Sequence, residues 1–193
     1  MEQNNIEKEK YIRLAADLQT DSIVDGPGLR AVLWTQGCAH HCKGCQNPQT
    51  WDFEGGGLVP IQMVKDAISE LEYQTGLTMS GGDPMFQPEA CLEIAKYAKS
   101  LGLNIWVYTG FTFEELLKMS KQKPVYLEFL KNIDVLVDGR FILEERDLSM
   151  LFRGSRNQRL IDVPRTLESG NITLFNEVEI MESDSFEKIL MYI

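Results

Sequence analysis

Apolar residues along this chain occur in two patterns, short runs and spacings of three to four residues, which predict strands alternating with helices. Short runs of β-branched, aromatic and other apolar residues predict four strands, at positions 29–35, 77–80, 103–109 and 133–137. Apolar residues spaced three to four apart predict three amphipathic helices between them, at positions 60–73, 87–101 and 112–119. Because strands and helices alternate, the expected fold class is α/β with parallel βαβ units. About five or six mainly parallel strands are available, too few for a closed eight-fold barrel, so we expect an open, partial (β/α) barrel.

Polar and glycine residues gather where the expected strands end. Parallel strands place their carboxyl ends at one edge of the sheet, and α/β folds bind ligands there. The residues that follow strand ends in this sequence are Cys38, Ser80, Gly81, Gly82, Thr109, Asp138 and Gly139. The sequence therefore predicts a ligand site at this edge. A lone cysteine, Cys91, lies within the second predicted helix, and we interpret it as a small core residue.

The length of 193 residues suits one domain with a single core. Positions 11–167 form the expected domain, positions 1–10 are polar and predict a flexible extension, and positions 168–193 form a tail of uncertain structure. The N-terminus lacks the apolar stretch of a secretory signal, and no apolar run reaches the ~18 residues that span a bilayer. We therefore expect a cytoplasmic protein without a membrane partner.

Charge is distributed unevenly along the chain. Nineteen lysines and arginines against 29 acidic residues give a net charge of −10, which argues against binding to nucleic-acid phosphates. Six of the eight arginines nevertheless lie in one short stretch, at Arg140, Arg146, Arg153, Arg156, Arg159 and Arg165. An acidic body with one arginine-rich segment indicates a local site for an anion or a partner.

Three of the four cysteines lie within eight residues, directly after the first predicted strand. Cys38, Cys42 and Cys45 have a C-x3-C-x2-C spacing, in which three thiolates hold three irons of a [4Fe–4S] cluster and leave the fourth iron without a protein ligand. The alternative is a zinc site of three cysteines and either His40 or His41. Structural zinc usually takes two pairs of ligands from separate turns, and the sequence has no second pair. We therefore favour the cluster and interpret both histidines as loop residues.

The motifs around these cysteines resemble those of a known superfamily. The C-x3-C-x2-C spacing followed by SGGDP at 80–84 resembles the radical S-adenosylmethionine (SAM) superfamily. The wider opening, DGPGLR at 25–30 with Asn47 and Trp51-Asp52, resembles the activating enzymes of glycyl-radical proteins. The segments WVYTG, VDGRF and FRGSRNQRLIDV are similar to the anaerobic ribonucleotide reductase branch, at 106–110, 137–141 and 152–163.

Two positions depart from common patterns. Gly44 stands where many superfamily members have an aromatic residue, although the reductase activases often have glycine there. Arg140 stands where lysine is commoner. The tail after Leu167 matches no family pattern.

The resemblance implies a radical SAM enzyme with a [4Fe–4S] cluster and SAM as cofactors. Such an enzyme cleaves SAM reductively to a 5′-deoxyadenosyl radical, which here generates a glycyl radical on anaerobic ribonucleoside-triphosphate reductase. A one-electron donor such as flavodoxin or ferredoxin is implied as a second partner. The cofactors carry this chemistry, so no side chain is expected to act as acid, base or nucleophile.

The resemblance also implies which residues contact SAM. Ser80, Gly81, Gly82 and Asp83 are expected near its ammonium group, Gly44 and Gln46 beneath its adenine, and Asp138 and Arg140 at its ribose and carboxylate. Thr109 is a further expected contact. The turn at 25–28 is expected near the entering substrate loop, with a plain turn as the alternative.

Several alternatives remain open at the level of sequence. Activation of another glycyl-radical enzyme, such as a pyruvate formate-lyase, is one, although many such activases carry extra cysteines that this chain lacks. A non-catalytic iron–sulfur or zinc module is another. Four alternative roles remain open for Arg153, Arg156 and Arg159. They order the SAM carboxylate, close the sheet edge or dock a partner, or they form only a solvated basic face.

Overall fold

The computed structural model describes residues 10–176. The expected N-terminal extension, apart from Lys10, and the tail beyond residue 176 lie outside the described residues. The strands are β1 Tyr11–Leu14, β2 Gln19–Ser22, β3 Arg30–Thr35, β4 Gly57–Pro60, β5 Gly76–Gly81, β6 Asn104–Tyr108, β7 Val135–Asp138 and β8 Arg159–Asp162. The α-helices are α1 Ile61–Ser69, α2 Pro88–Ser100, α3 Phe113–Ser120, α4 Val125–Leu130 and α5 Val163–Ser169. No helix in this part of the chain is both long and apolar enough to cross a membrane.

The strands form one mixed sheet in the order β4-β1-β3-β5-β6-β7-β8, with β2 also paired to β3. The α/β class is confirmed, and all four predicted strands are present. The expected count of five or six mainly parallel strands is wrong, because the described residues contain eight. Only β3, β5, β6 and β7 are mutually parallel, while every other pairing is antiparallel.

The missed strands are short and lie outside the parallel centre. β1, β2, β4 and β8 are each four residues long, too short to show a clear period of two, and QTDS of β2 has no apolar residue. They flank a parallel centre whose strands are buried on both faces, and this burial makes the central strands rich in apolar residues.

The sheet separates two apolar clusters. Ile105 and Val107 of β6 point into the main core beneath α1 to α4, where Cys91 is fully buried as expected. Trp106 and Tyr108 alternate to the other face, where a smaller cluster includes Phe152 from the connection between β7 and β8. The period of two along β6 therefore assigns one face to the helices and leaves the other face for the site.

A buried arginine stabilises this second face. Arg30 donates to Thr78 Oγ1 at 2.7 Å and to Asn104 Oδ1 at 2.7 Å, and its guanidinium lies 5.5 Å from the centroid of the Trp106 ring. Burial lowers the pKa of Arg30 to about 10. The side chain thus joins β3, β5 and β6 near their amino ends, at the edge of the sheet opposite the cysteine loop.

Candidate active site

A cavity of about 200 Å³ opens at the carboxyl edge of the parallel strands, on the face that carries Trp34 and Tyr108. The predicted site residues that line it are Cys38, Cys42, Cys45, Gln46, Ser80, Gly81, Gly82 and Thr109. The other four predicted residues, Gly44, Asp83, Asp138 and Arg140, do not line it. A larger surface groove of about 720 Å³ beside Lys10 and Glu93 contains none of the cysteines.

The cysteine loop is held at both ends by backbone hydrogen bonds. Gly37 N donates to Thr50 O at 2.8 Å, and Cys38 N donates to Trp51 O at 3.1 Å. Within the loop, Cys45 N donates to Cys42 O at 3.1 Å, which closes a tight turn. Gly44 adopts a φ of 76° in that turn, a left-handed conformation that favours glycine. The loop therefore presents all three thiols to one cavity.

The chemistry of these thiols fits an iron–sulfur cluster. All four cysteines of the chain are free thiols, and burial raises the pKa of Cys38 to about 11 and also raises that of Cys42. A partly desolvated thiolate needs a compensating positive charge, which iron supplies. Cys91 lies in the main core on α2, so the protein offers the cluster three thiolates and no fourth.

Of the two loop histidines, His40 lines the thiol cavity, but its ring is engaged with other residues. The His40 ring is edge-on to Phe111 with ring centroids 4.5 Å apart, and its Nε2 lies 2.9 Å from Asp83 Oδ2. His41 is exposed and lies edge-on to Trp51 at 4.8 Å. Among the described residues, no three His, Cys, Asp or Glu side chains converge on a point that one metal ion could occupy. The zinc set of three cysteines and one histidine is therefore not assembled in the part of the chain that the structure describes.

Asp83 lies behind the cavity. Its Oδ1 accepts from Met85 N, and its Oδ2 accepts from Thr109 Oγ1 and Gly110 N, each at 2.9 Å. The same Oδ2 faces His40, and the residue is only 1% exposed. This carboxylate therefore joins the cysteine loop, the turn after β5 and the turn after β6.

The glycines of the turn after β5 allow a close backbone approach. Gly81 has a φ of 103°, and a Cβ added at Gly82 would collide with the backbone carbonyl of Gly37. Gly82 N donates to Thr35 O at 2.7 Å, and Asp83 N donates to Gly37 O at 3.0 Å. The turn and the cysteine loop thus pack backbone to backbone, and Gly81 and Gly82 also line the cavity.

Asp138 and Arg140 belong to a neighbouring cavity of about 520 Å³. Asp138 is 1% exposed and accepts from Phe113 N at 2.8 Å and from Arg159 Nε at 2.9 Å. Arg159 also donates to Glu114, so one guanidinium joins β7, β8 and α3. Its hydrogen bonds to the carboxylates of Asp138 and Glu114 raise the pKa of Arg159 further. Of the roles considered for the arginines, Arg159 thus closes the sheet edge.

The sequence did not single out several residues that line the site. Tyr108 lines the main cavity, donates its hydroxyl to Phe152 O at 2.9 Å, and has its pKa raised by burial. Trp34 and Phe141 line the same cavity. The alternation of β6 was the available signal for Tyr108, because it lies two residues after Trp106. Asp25, from the turn expected near the substrate loop, also lines the cavity.

The class of the protein follows from a family comparison. Residues 24–161 match the model of a family described as a 4Fe-4S single cluster domain. That span contains the whole cysteine loop, both turns and the connection between β7 and β8. The chain is therefore an iron–sulfur protein with a [4Fe–4S] cluster, as the cysteine spacing predicted.

Curated relatives define the particular family. Proteins named anaerobic ribonucleoside-triphosphate reductase-activating protein are 39% identical in Haemophilus influenzae over 144 residues (70% of this chain, 89% of the relative). The protein of Enterobacteria phage T4 is 41% identical to this chain, over 71% of this chain and 86% of the relative. The protein of Escherichia coli K12 is 35% identical, over 70% of this chain and 90% of the relative. The chain belongs to the family of anaerobic ribonucleoside-triphosphate reductase-activating proteins.

A solved structure, QueE from Escherichia coli, aligns over 53% of each chain with 14% identity and a TM-score of 0.46. A likeness at this level carries no weight in the assignment.

Proposed function

We propose that this chain is a radical SAM activase that generates a glycyl radical on anaerobic ribonucleoside-triphosphate reductase. The observation that supports it most is one cavity lined by three thiols and by the glycine turn after β5. When bound, the reduced cluster and SAM supply a 5′-deoxyadenosyl radical, which abstracts a hydrogen from a glycine of the reductase. Membership of the activating-protein family supports the choice of reductase over other glycyl-radical enzymes.

The protein's own residues position and shield this chemistry. Cys38, Cys42 and Cys45 hold the cluster, and the polar groups of Ser80, Gln46 and Thr109 face the same cavity as hydrogen-bonding partners for SAM. Gly81 and Gly82 lack side chains that would collide with the backbone of Thr35 and Gly37, so the turn can lie beside the cysteine loop at the cavity.

The other four expected SAM contacts have different places. Asp83 and Asp138 act from behind as positioning groups, because their carboxylates are buried and already accept hydrogen bonds. Gly44 lies at the loop turn and Arg140 at the neighbouring cavity. We therefore do not propose a direct contact between SAM and either residue, because neither lines the thiol cavity.

The fold suits a macromolecular substrate. We propose that β3, β5, β6 and β7 form the parallel centre of an open, partial (β/α) barrel of the radical SAM type, with antiparallel strands at both margins. An open barrel leaves room for a loop of a protein substrate. The free thiols also support a reducing, cytoplasmic setting, and we propose flavodoxin or ferredoxin as the electron donor.

Anaerobic reconstitution with iron and sulfide tests the proposal. Reduction with dithionite in the presence of SAM should yield 5′-deoxyadenosine, measured by chromatography. Cys42→Ala should abolish the product, whereas Cys91→Ala, which removes a thiol from the core, should retain cluster and product. An intact cluster that leaves SAM uncleaved would favour a non-catalytic module.

The substrate is tested separately. Addition of the reductase should produce a glycyl-radical doublet in electron paramagnetic resonance, and a pyruvate formate-lyase should not. The reverse pattern would assign the chain to the alternative activase class.

A further inference from the structure

The connection between β7 and β8, residues 139–158, packs directly on the cysteine loop. Lys43 Nζ lies 3.2 Å from Glu144 Oε1, and Gly44 is so close to Leu143 that an added Cβ would lie 2.9 Å from its Cδ1. Phe141 lines the thiol cavity from the same connection. A protein that binds this connection therefore reaches the cluster site from outside.

Exposed cations cluster on this surface. Lys43, Arg140, Arg146 and Arg156 are all exposed. An isolated bridge pairs Arg146 with Ser155, and Arg156 N donates to Glu145 O at 3.0 Å, so the backbones of the two arginines lie on adjacent segments. Asn157 Nδ2 donates to Arg140 O at 2.8 Å, which places Arg140 at the base of the same connection. We call these four residues the basic surface.

The charges of the basic surface are only partly neutralised. Lys43 pairs with Glu144, and Arg156 pairs with Asp147 at 3.8 Å, both through solvent-exposed contacts that contribute little. Within the described residues, neither Arg140 nor Arg146 has a carboxylate at ion-pair distance. These cations stand out on a chain whose net charge is −10.

The more exposed thiols of the loop lie on either side of Lys43 and Gly44. Cys38 is buried, whereas Cys42 and Cys45 are partly exposed and flank Lys43 and Gly44. A donor bound at Lys43 would therefore lie beside the two more exposed thiols of the loop. An acidic donor is repelled by most of this acidic chain and attracted here, so the field orients it toward the cluster.

We propose that the basic surface is the docking site for an acidic one-electron donor protein of the flavodoxin or ferredoxin kind. The inference rests on the proposed function and identifies how that function receives its electron. One electron passes from the reduced donor to the oxidised cluster, the donor is oxidised by one electron, and no covalent bond forms or breaks.

The test compares a protein donor with a small reductant in the reconstituted full chain. Cluster reduction by reduced flavodoxin is followed by stopped-flow absorbance in wild type, Arg146→Glu and Arg156→Glu. Each reversal should lower the bimolecular rate about tenfold at low ionic strength, in the range of electrostatic steering. The wild-type rate should fall as salt is added, and the difference between variants should shrink, because the Debye length drops to about 8 Å at physiological ionic strength.

The matched control is Arg165→Glu. Arg165 lies in α5, which begins at the amino edge of the parallel strands, opposite the thiol cavity, and its Nε lies 3.5 Å from Asp162 Oδ2 in a largely exposed contact. An exposed pair of this kind contributes little, so its loss should leave the fold intact. This variant carries the same change of charge and should keep the wild-type rate with flavodoxin.

Dithionite separates the two levels of the proposal. Wild type and all variants should reach the same reduced cluster with dithionite. A failure of SAM cleavage would overturn the proposed function, while the rates of cluster reduction would still decide the docking site. Unchanged flavodoxin rates in both reversals, or reversals that weaken binding of the reductase alone, would overturn the docking proposal.

Discussion

The imidazole Nε2 of His40 lies 2.9 Å from the carboxylate Oδ2 of Asp83, which joins the cysteine loop to the turn after β5. Both side chains are almost completely buried. Phe86 and Phe111 pack around the imidazole, with ring centroids 5.6 Å and 4.5 Å away. The position of the thiols relative to the glycine turn therefore depends on one polar contact inside an aromatic enclosure.

Asp83→Ala should destabilise the fold before it affects any ligand directly. The substitution leaves the buried donors Met85 N, Thr109 Oγ1 and Gly110 N without their acceptor. One unsatisfied buried donor costs about 1–3 kcal/mol, so the free energy of unfolding should fall by about 3 kcal/mol or more. Urea unfolding of the cluster-free protein measures this. A variant of normal stability that has lost SAM affinity would instead restore Asp83 as the ammonium partner expected from the sequence.

His40→Phe should keep the cluster, because His40 is a positioning residue and not a ligand. Phenylalanine preserves the aromatic packing but cannot bond Asp83, and one lost hydrogen bond to a charged group costs about 1.5–3 kcal/mol. Iron and sulfide content per chain should match wild type, while the electron paramagnetic resonance spectrum of the reduced cluster with SAM should change. His40→Gln, which retains a donor, should restore most of that spectrum. Loss of one iron in both variants would show that His40 is a ligand.

Arg159→Gln should destabilise the protein strongly. Asp138 would then be a buried carboxylate without its cation, and breaking a buried pair typically costs about 3–5 kcal/mol. Thermal unfolding with Arg156→Gln as control measures the difference, because Arg156 is exposed and pairs only at 3.8 Å. Equal melting temperatures for the two variants would refute the structural role of Arg159.

The partner of Arg159 on α3 predicts a pH dependence. The hydrogen bond from Arg159 lowers the pKa of Glu114. A carboxyl group with a lowered folded-state pKa stabilises the protein above its unfolded-state pKa, and this contribution is lost as the pH falls through the folded-state pKa. Wild type should therefore lose more stability than Glu114→Gln between pH 6 and pH 3. Parallel denaturation curves for the two proteins across this range would contradict the assignment.

Much of the centre of the fold could be predicted because buried strands are rich in apolar residues, and such runs are visible in the sequence. The segment 103–109 is mostly apolar because both faces of β6 are covered, and the cysteine spacing identified the loop whose three thiols line the cavity. The sequence carries no comparable signal for the direction in which a polar side chain points. Asp83 follows a strand end as predicted, yet it points behind the cavity, since donors from β6 and from the cysteine loop meet it there.

The arginine-rich segment shows the same limit. Its position was evident from the sequence, but its members divide by contacts that only the fold creates. Arg159 is paired with Asp138 across two antiparallel strands, whereas Arg146 projects into solvent. The antiparallel strand β8 was not predicted, and without it the two arginines could not be distinguished.

The burial of Cys91 has a practical consequence for chemical labelling. Its side chain is fully enclosed and burial raises its pKa, so an alkylating reagent cannot reach its thiolate in the folded protein. Native alkylation therefore counts only the thiols of the loop: three adducts without the cluster and none with it. Within the loop, Cys38 should be modified last, because it is more buried than Cys42 and Cys45. Mass spectrometry of the intact chain thus measures the occupancy of the cluster site directly, because Cys91 is not alkylated.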